Sequence, residues 1–529
     1  MRWTRYGLIA ILTLFALSRP GSSTTGGVPG TSGAPGHAAS SQPGPCAYRL
    51  APPLVAGKDV ICGAVAVPLE HRRPTGPTIS IPVVVIKHTG SGPVGDPIVY
   101  LLGGPGSKLG AVVGCGPLCQ AFRPHHDYIQ FEQRGVGQTQ PALECPEIDA
   151  TVRRVLPQTL PWAAEQSAQT EALLSCARRL QRQGVALGAY NTIESAADVD
   201  DIRVALGYRQ LILFGTSDGS LWAQQIMRAF PRAVSSVFLD SVVPMQFDDN
   251  TVKAFTFSRA TRLVFAGCAA QPSCDRAYPH LAATFARVVA RLNAHPVAVP
   301  VVDPTSGARY MLPVTGDRFI GMIYLPLYLN QFTTVLPGLI ASVDAGNPAL
   351  LAAFAPYNLS AQVIAGYSNG LAAALTCNDG NRAALTPPQI AAGVRDALPQ
   401  WTDFFATFAF SVAGPQSLCG RWPTTGATPL VRTPVVSRIP TLIFEGRHDP
   451  TTPPVFGQLV ARSLDRSYYV EFPDSGHATL GQTGGCGVRI LAQFVADPTR
   501  RPDESCVAAL MDYTYLTPAQ LAHFHPQAP

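Results

Sequence analysis

The chain has 529 residues, more than one hydrophobic core organises, so a large domain with an insertion is expected. Its formal charge is only +5, and Arg2, Arg5 and Arg19 contribute to it ahead of any foldable segment, which leaves nucleic-acid binding without electrostatic support. Charged residues make up 14% of the chain against about 25% in an average globular protein, a composition that suits an exported enzyme.

Arg2 and Arg5 precede the apolar run from Gly7 to Leu17, which has the charge and length of a secretory signal and is short for a membrane span. Residues 1–20 are read as an export signal, with an uncleaved anchor as the alternative. Residues 21–44, almost devoid of apolar side chains, are read as a flexible tether that cannot offset its ordering entropy. The protein is therefore expected to be secreted or held at the cell envelope. Twelve cysteines behind such a signal predict disulfides. The sequence leaves their pairing open, but short loops close most easily, which favours Cys46–Cys62, Cys115–Cys119, Cys145–Cys176, Cys268–Cys274, Cys377–Cys419 and Cys486–Cys506. Neither a Cys-x-x-Cys nor a His-x-x-x-His pair is present, so neither a metal nor a cofactor is expected.

Along the chain, the β-rich runs Val60 to Val67 and Thr78 to Ile86 predict an antiparallel pair. Pro97 to Leu102 is a continuous apolar strand ending in Gly103-Gly104-Pro105-Gly106. Tyr128 to Phe131 leads into Glu132-Gln133-Arg134-Gly135-Val136-Gly137. Helical patterns cover about 163–182 and 193–206, the second with Thr192 as cap and with Glu194 and Asp198 near its positive end. Leu211 to Phe214 then reads as a strand, followed by Gly215-Thr216-Ser217-Asp218-Gly219 and a helical pattern through Met227. After a strand ending at Asp240, residues 245–435 are rich in Ala, Leu and Phe at helical spacing and predict a mostly helical lid. Strands return at Thr441 to Phe444 and Tyr468 to Phe472, and 488–495 reads as a terminal helix. The alternation implies an α/β fold with a mainly parallel sheet, its core formed by residues 45–244 and 436–529 around the lid.

Strand, Gly-x-Ser-x-Gly and helix together describe a nucleophile elbow, in which a strained turn exposes the serine hydroxyl. Ser217 is the candidate nucleophile. A hydroxyl needs a base at neutral pH, and His477, after the strand ending at Phe472, is assigned that role. The imidazolium needs a buried carboxylate, for which Asp449 is chosen over its rival Asp240. The order Ser, Asp, His is the order used by the α/β-hydrolase fold.

With these motifs in place, the chain resembles the secreted branch of the proline iminopeptidase and tripeptidyl aminopeptidase family of α/β-hydrolases. The likeness runs from about Cys46 to the C-terminus, with the lid matched loosely. Its most specific parts are Gly103-Gly104-Pro105-Gly106, Glu132 to Gly137, Gly215 to Gly219, Gly446 to Pro453 and Gly476-His477, with Cys486 and Cys506 behind them. The resemblance implies hydrolysis of a peptide or ester substrate without a metal, the oxyanion being held by the amides of Gly104 and Asp218. Three positions depart from the family: Asp218 and Ser220 stand where it more often has Tyr and Gly, and Glu132 where Asp is common. A carboxylate at 218 opposes oxyanion stabilisation unless it points outward or meets a cationic part of the substrate. Glu132 and Arg134 are read as ordering their loop. Because an exopeptidase must hold the substrate ammonium, Asp218, Asp240 and Asp379 are candidates for that contact. The leading expectation is an exported serine aminopeptidase of prolyl or tripeptidyl type. A carboxylesterase or lipase on the same triad and a non-catalytic binding protein are the alternatives.

Overall fold

The computed structural model describes residues 41–246, 249–303, 306–362, 366–379, 397–412, 416–424 and 429–524. The expected export signal and most of the tether lie outside the described residues. Nine strands form one sheet: β1 (Ser41–Pro43), β2 (Val60–Pro68), β3 (Thr78–Ile86), β4 (Ile98–Leu101), β5 (Tyr128–Phe131), β6 (Leu211–Thr216), β7 (Val234–Asp240) and, after the lid and its hairpin β8 (Val297–Val302) and β9 (Arg309–Val314), β10 (Thr441–Gly446) and β11 (Ser467–Phe472). Their order is β1-β2-β3-β5-β4-β6-β7-β10-β11. The first three joins are antiparallel and the remaining five parallel.

Continuous apolar runs such as Leu211 to Phe214 and Leu442 to Phe444 form central strands because both of their faces are covered. On one face Phe122, Phe214, Phe238, Phe444 and Phe472 make a chain of edge-to-face contacts with successive ring centroids 5.8, 5.3, 4.9 and 4.8 Å apart. Each such contact contributes about 0.5–1.5 kcal/mol beyond area burial, and the terminal helix α7 (Gly484–Ala496) closes over them with Ile490, Leu491 and Phe494. The opposite face carries α1 (Trp162–Arg182), α2 (Thr192–Ala205) and α3 (Asp218–Ala229), packed through Leu174, Ile202, Trp222 and Ile226 onto Leu213, Leu239 and Ile443.

Between β7 and β10 the lid includes α4 (Asp249–Ala270), α5 (Asn369–Asp379) and α6 (Pro399–Val412). It also holds the β8–β9 hairpin, which helical spacing did not predict. Val297 to Val302 alternates buried and exposed side chains in a period of two, so the segment pairs as a strand although its neighbours are helical. The tether is likewise shorter than expected at its end. Ser41 to Pro43 pair antiparallel with Val65 to Gly63, an edge contact made through backbone groups that needs no apolar side chains. The N-cap of α2 is Asn191 rather than Thr192, its side chain accepting from the Glu194 amide.

All six expected disulfides are formed, with Cα atoms 4.9–5.8 Å apart, an arrangement suited to an exported protein. Among the described residues, Cys145, Glu147 and Cys176 cluster as a metal site would, but the two sulfurs are bonded to each other. No helix among the described residues is long and apolar enough to cross a membrane.

Candidate active site

The parallel strands deliver the candidate residues to one edge of the sheet. Ser217 ends β6 at φ 56° and ψ −125°, a left-handed conformation that is costly for a side chain bearing a Cβ. Ser241, after β7, and Ala478, after His477, also have positive φ, and the Ser241 hydroxyl accepts from the Ala478 amide at 2.9 Å. Backbone strain is thus concentrated where three strand ends meet, as it often is at working sites. The elbow is braced from below. The Ser217 amide donates to the Asp240 carbonyl at 2.9 Å, and the buried Ser220 hydroxyl donates to the Ser217 carbonyl at 2.6 Å while accepting from the Val243 amide at 2.9 Å. These bonds give a physical reason for serine at 220, where the family more often has glycine.

His477 Nδ1 lies 2.8 Å from Asp449 Oδ2, and Asp449 is fully buried in the turn after β10. Asp449 Oδ1 accepts from the amides of Thr451 and Thr452 at 2.8 and 2.7 Å. The Thr452 hydroxyl donates to Oδ2 at 2.7 Å and faces His477 Nδ1 at 3.1 Å. The carboxylate is therefore fixed from four directions, and a proton on Nδ1 leaves Nε2 free of a proton and able to act as a base. Tyr328 of the lid completes the setting, with its carbonyl accepting from the His477 amide at 2.9 Å and its ring edge-on to the imidazole at 5.0 Å.

Asp240, the rival acid, points elsewhere: its carboxylate accepts from the Leu480 amide at 3.3 Å. Burial pushes its pKa up to about 7, opposed by the nearby His477. Asp379, expected to meet a substrate ammonium, instead accepts from the Thr192 amide and hydroxyl at the start of α2. Burial raises it to about 7 as well, with the Thr192 bonds opposing the shift. Each of these two carboxylates is engaged by a backbone amide that would otherwise be unsatisfied.

Asp218 begins α3, so its amide belongs to the helix N-terminus, where backbone N–H groups face outward. Its carboxylate lies near Tyr367, whose phenol is pushed well above its usual range by burial first and by Asp218 second. Gly103 packs so closely on the elbow that an added Cβ would fall 2.9 Å from that of Ser217, and Gly104 follows it at φ +135°. Glu132 accepts from Tyr48, from the Leu109 amide and from the Gln138 amide, and so ties its own loop to the segment after Gly106. Arg134 is fully buried, paired with both oxygens of Asp198 at 2.7 and 2.6 Å and bonded to the carbonyls of Pro68, Leu69 and Ala189.

Three contributors were not singled out from sequence. Thr452 had a local signal, since Asp449 followed by hydroxyl residues invites side-chain bonds to the turn. Tyr328, in an apolar lid segment, had none. Glu445, fully buried at the end of β10, accepts from the Val242 amide at 3.1 Å and is raised well above its ordinary pKa by burial and then by Asp449.

The chain is similar to several known proteins. The α/β-hydrolase fold family matches residues 96–320, and a family described as TAP-like protein matches 406–506. The serine protease Hip1 of Mycobacterium tuberculosis is 25% identical over 460 residues, covering 84% of this chain and 86% of its own. Carboxylesterase B of the same organism is 26% identical over 463 residues, covering 83% and 85%. The tripeptidyl aminopeptidase of Streptomyces lividans is 29% identical over 193 residues, covering 35% and 36%. Matched by the α/β-hydrolase fold family over residues 96–320 and by the TAP-like family over 406–506, and built on the sheet and elbow described above, the chain has the α/β-hydrolase fold.

Proposed function

We propose that this α/β-hydrolase is an exported serine peptidase that releases short units from the N-terminus of peptides through an acyl-enzyme on Ser217. The observation that carries the reading is the strained Ser217 elbow on the same sheet edge as a buried His477–Asp449 pair. In the proposed cycle His477 Nε2 takes the hydroxyl proton as Ser217 Oγ attacks the substrate carbonyl carbon, and Asp449 stabilises the imidazolium. The amides of Gly104 and Asp218 hold the oxyanion. Collapse breaks the bond to the leaving group, which receives the proton from His477. Water, activated by the same imidazole, then hydrolyses the ester and restores the serine.

The specificity part of the reading rests on the Asp218 carboxylate beside the nucleophile, the remaining sequence candidate for an ammonium contact, and on relatives named as a serine protease and a tripeptidyl aminopeptidase. A carboxylesterase is the second reading. It is favoured by the aromatic wall next to His477, in which Tyr328 and Tyr324 adjoin Phe257, Trp401 and Phe405, and by a relative named carboxylesterase B. A chromogenic panel of free-amine tripeptides, their N-acetyl forms and short-acyl esters separates the two. The peptidase reading expects acetylation to lower kcat/KM by about 100-fold or more, the cost of losing a charge-assisted bond from the substrate ammonium. Fast ester turnover together with indifference to acetylation would replace it by the esterase reading.

A further inference from the structure

A Gly-Gly-Pro-Gly loop is a poor platform for an oxyanion amide, because glycine gives up more conformational freedom on ordering than any other residue. Oxyanion stabilisation requires donors that are fixed before reaction. Something must therefore hold the segment from Gly103 to Ser107, and it is held by the lid. The Ser368 amide donates to the Gly106 carbonyl at 2.8 Å, and the Lys108 amide donates to the Gly366 carbonyl at 2.8 Å. Ser107 and Tyr367 pair antiparallel between these two bonds, and the Tyr367 phenol shares a hydrogen bond with the Ser107 side chain. The fit leaves no slack: a Cβ on Gly106 would fall 2.8 Å from the Ser368 carbonyl oxygen.

Ser368 is fully buried, and its hydroxyl reaches the carbonyls of Gly135 and Leu143 at 3.1 and 3.2 Å while accepting from the Leu371 amide at 3.3 Å. One residue thus joins the start of α5 and the loop after β5 through its side chain and the loop beside Ser217 through its backbone amide. We propose that Ser368 is a positioning residue for the oxyanion loop: the lid strip from Gly366 to Ser368 is a clamp that holds the Gly104 amide in register with Ser217. The inference rests on the reading of Ser217 as nucleophile. It adds that the lid shapes the transition-state site as well as covering it.

The test is Ser368→Ala against Thr315→Ala, a second lid cap, on the helix from Gly316 to Tyr324, whose hydroxyl accepts from the Arg318 amide far along the chain from the catalytic loops. Both should melt lower. Ser368→Ala should also lower kcat about 10- to 100-fold with KM within about twofold, and should weaken a boronic acid transition-state analogue by a similar factor, whereas Thr315→Ala should keep both. Ser368→Thr, which retains the hydroxyl, should recover much of the loss. Equal kcat and boronate affinity in the two alanine variants would overturn the clamp. If Ser368→Ala does not fold, hydrogen exchange on the unmodified protein decides. The Lys108 and Ser368 amides should slow together when the boronic acid occupies the site, and no change there counts against the proposal. Labelling of Ser217 by a fluorophosphonate in the unmodified enzyme tells failure of the clamp apart from failure of the underlying reading.

Discussion

Two buried charged clusters stand on opposite sides of the elbow and are built on opposite terms. Under the loop after β5, Arg134 is matched by Asp198, and His71 lies 2.5 Å from Glu194 and 3.2 Å from Asp201. Burial opposes the charge on His71, but the bonds to Asp201 and Glu194 outweigh it and raise its pKa to about 9. At the ends of β7 and β10, by contrast, Asp240 and Glu445 are buried beside Asp449, and neither makes an ion pair among the described residues. Both are raised, Asp240 to about 7, because a buried carboxylate without a cation keeps its proton. Charges that are paired with each other hold loops. Asp240 and Glu445 both lie near Asp449, which is the carboxylate bonded to His477. Both clusters contain shifted groups, and what separates them is that only the first matches its carboxylates with cations.

The largest effect separating the two clusters is catalytic. Asp449→Asn should preserve the fold but favour the wrong histidine tautomer, lowering turnover by about 10⁴-fold, whereas Asp240→Asn, which keeps an acceptor for Leu480, should cost less than about tenfold. A steady-state comparison on the best panel substrate reads this directly, and the reverse ranking would hand the acid role to Asp240. On the other side the effect is on stability. Arg134→Met leaves Asp198 with only His71, 3.7 Å away, as a counter-charge and should cost about 3–5 kcal/mol in chemical denaturation with turnover of the folded fraction nearly intact.

The smallest effects are opposite in sign and appear at opposite ends of the pH range. A His71 pKa raised to about 9 means stabilisation fully present below about pH 6.5 and lost as pH rises through 9, so His71→Gln should be most destabilising in acid, by about 1–3 kcal/mol, and nearly silent above pH 9. Glu445 is also raised, so the native state loses stability relative to the unfolded chain as pH climbs above the ordinary carboxyl range. Glu445→Gln, which never ionises, should match the parent near pH 4 and become progressively more stable than it in alkali. Melting curves in which His71→Gln lost nothing in acid, or Glu445→Gln gained nothing in alkali, would erase the contrast.

The working edge was the more legible of the two in sequence. Ser217, Asp449 and His477 each follow an apolar strand within a few residues, so local pattern placed them on one edge, and the short-loop rule found all six disulfides. What escaped depends on partners far apart in the chain. Asp379 meets Thr192 across 187 residues, and Ser368 meets Gly135 across 233. No local spacing announces such contacts. The β8–β9 hairpin was hidden for a different reason, since its period of two spans only six residues on each side within a long helical stretch. Glu445 looked like any charged residue at a strand end; only its burial marks it as a carboxyl whose pKa is raised.

The central claim is that the strained serine is the nucleophile. Treatment with a serine-directed fluorophosphonate followed by peptide mass spectrometry should find the adduct on Ser217 alone, absent from Ser217→Ala, whose turnover should fall by several orders of magnitude to the residue that binding and oxyanion contacts supply. An adduct on another serine, or an alanine variant that still hydrolyses substrate at the parental rate, would contradict it.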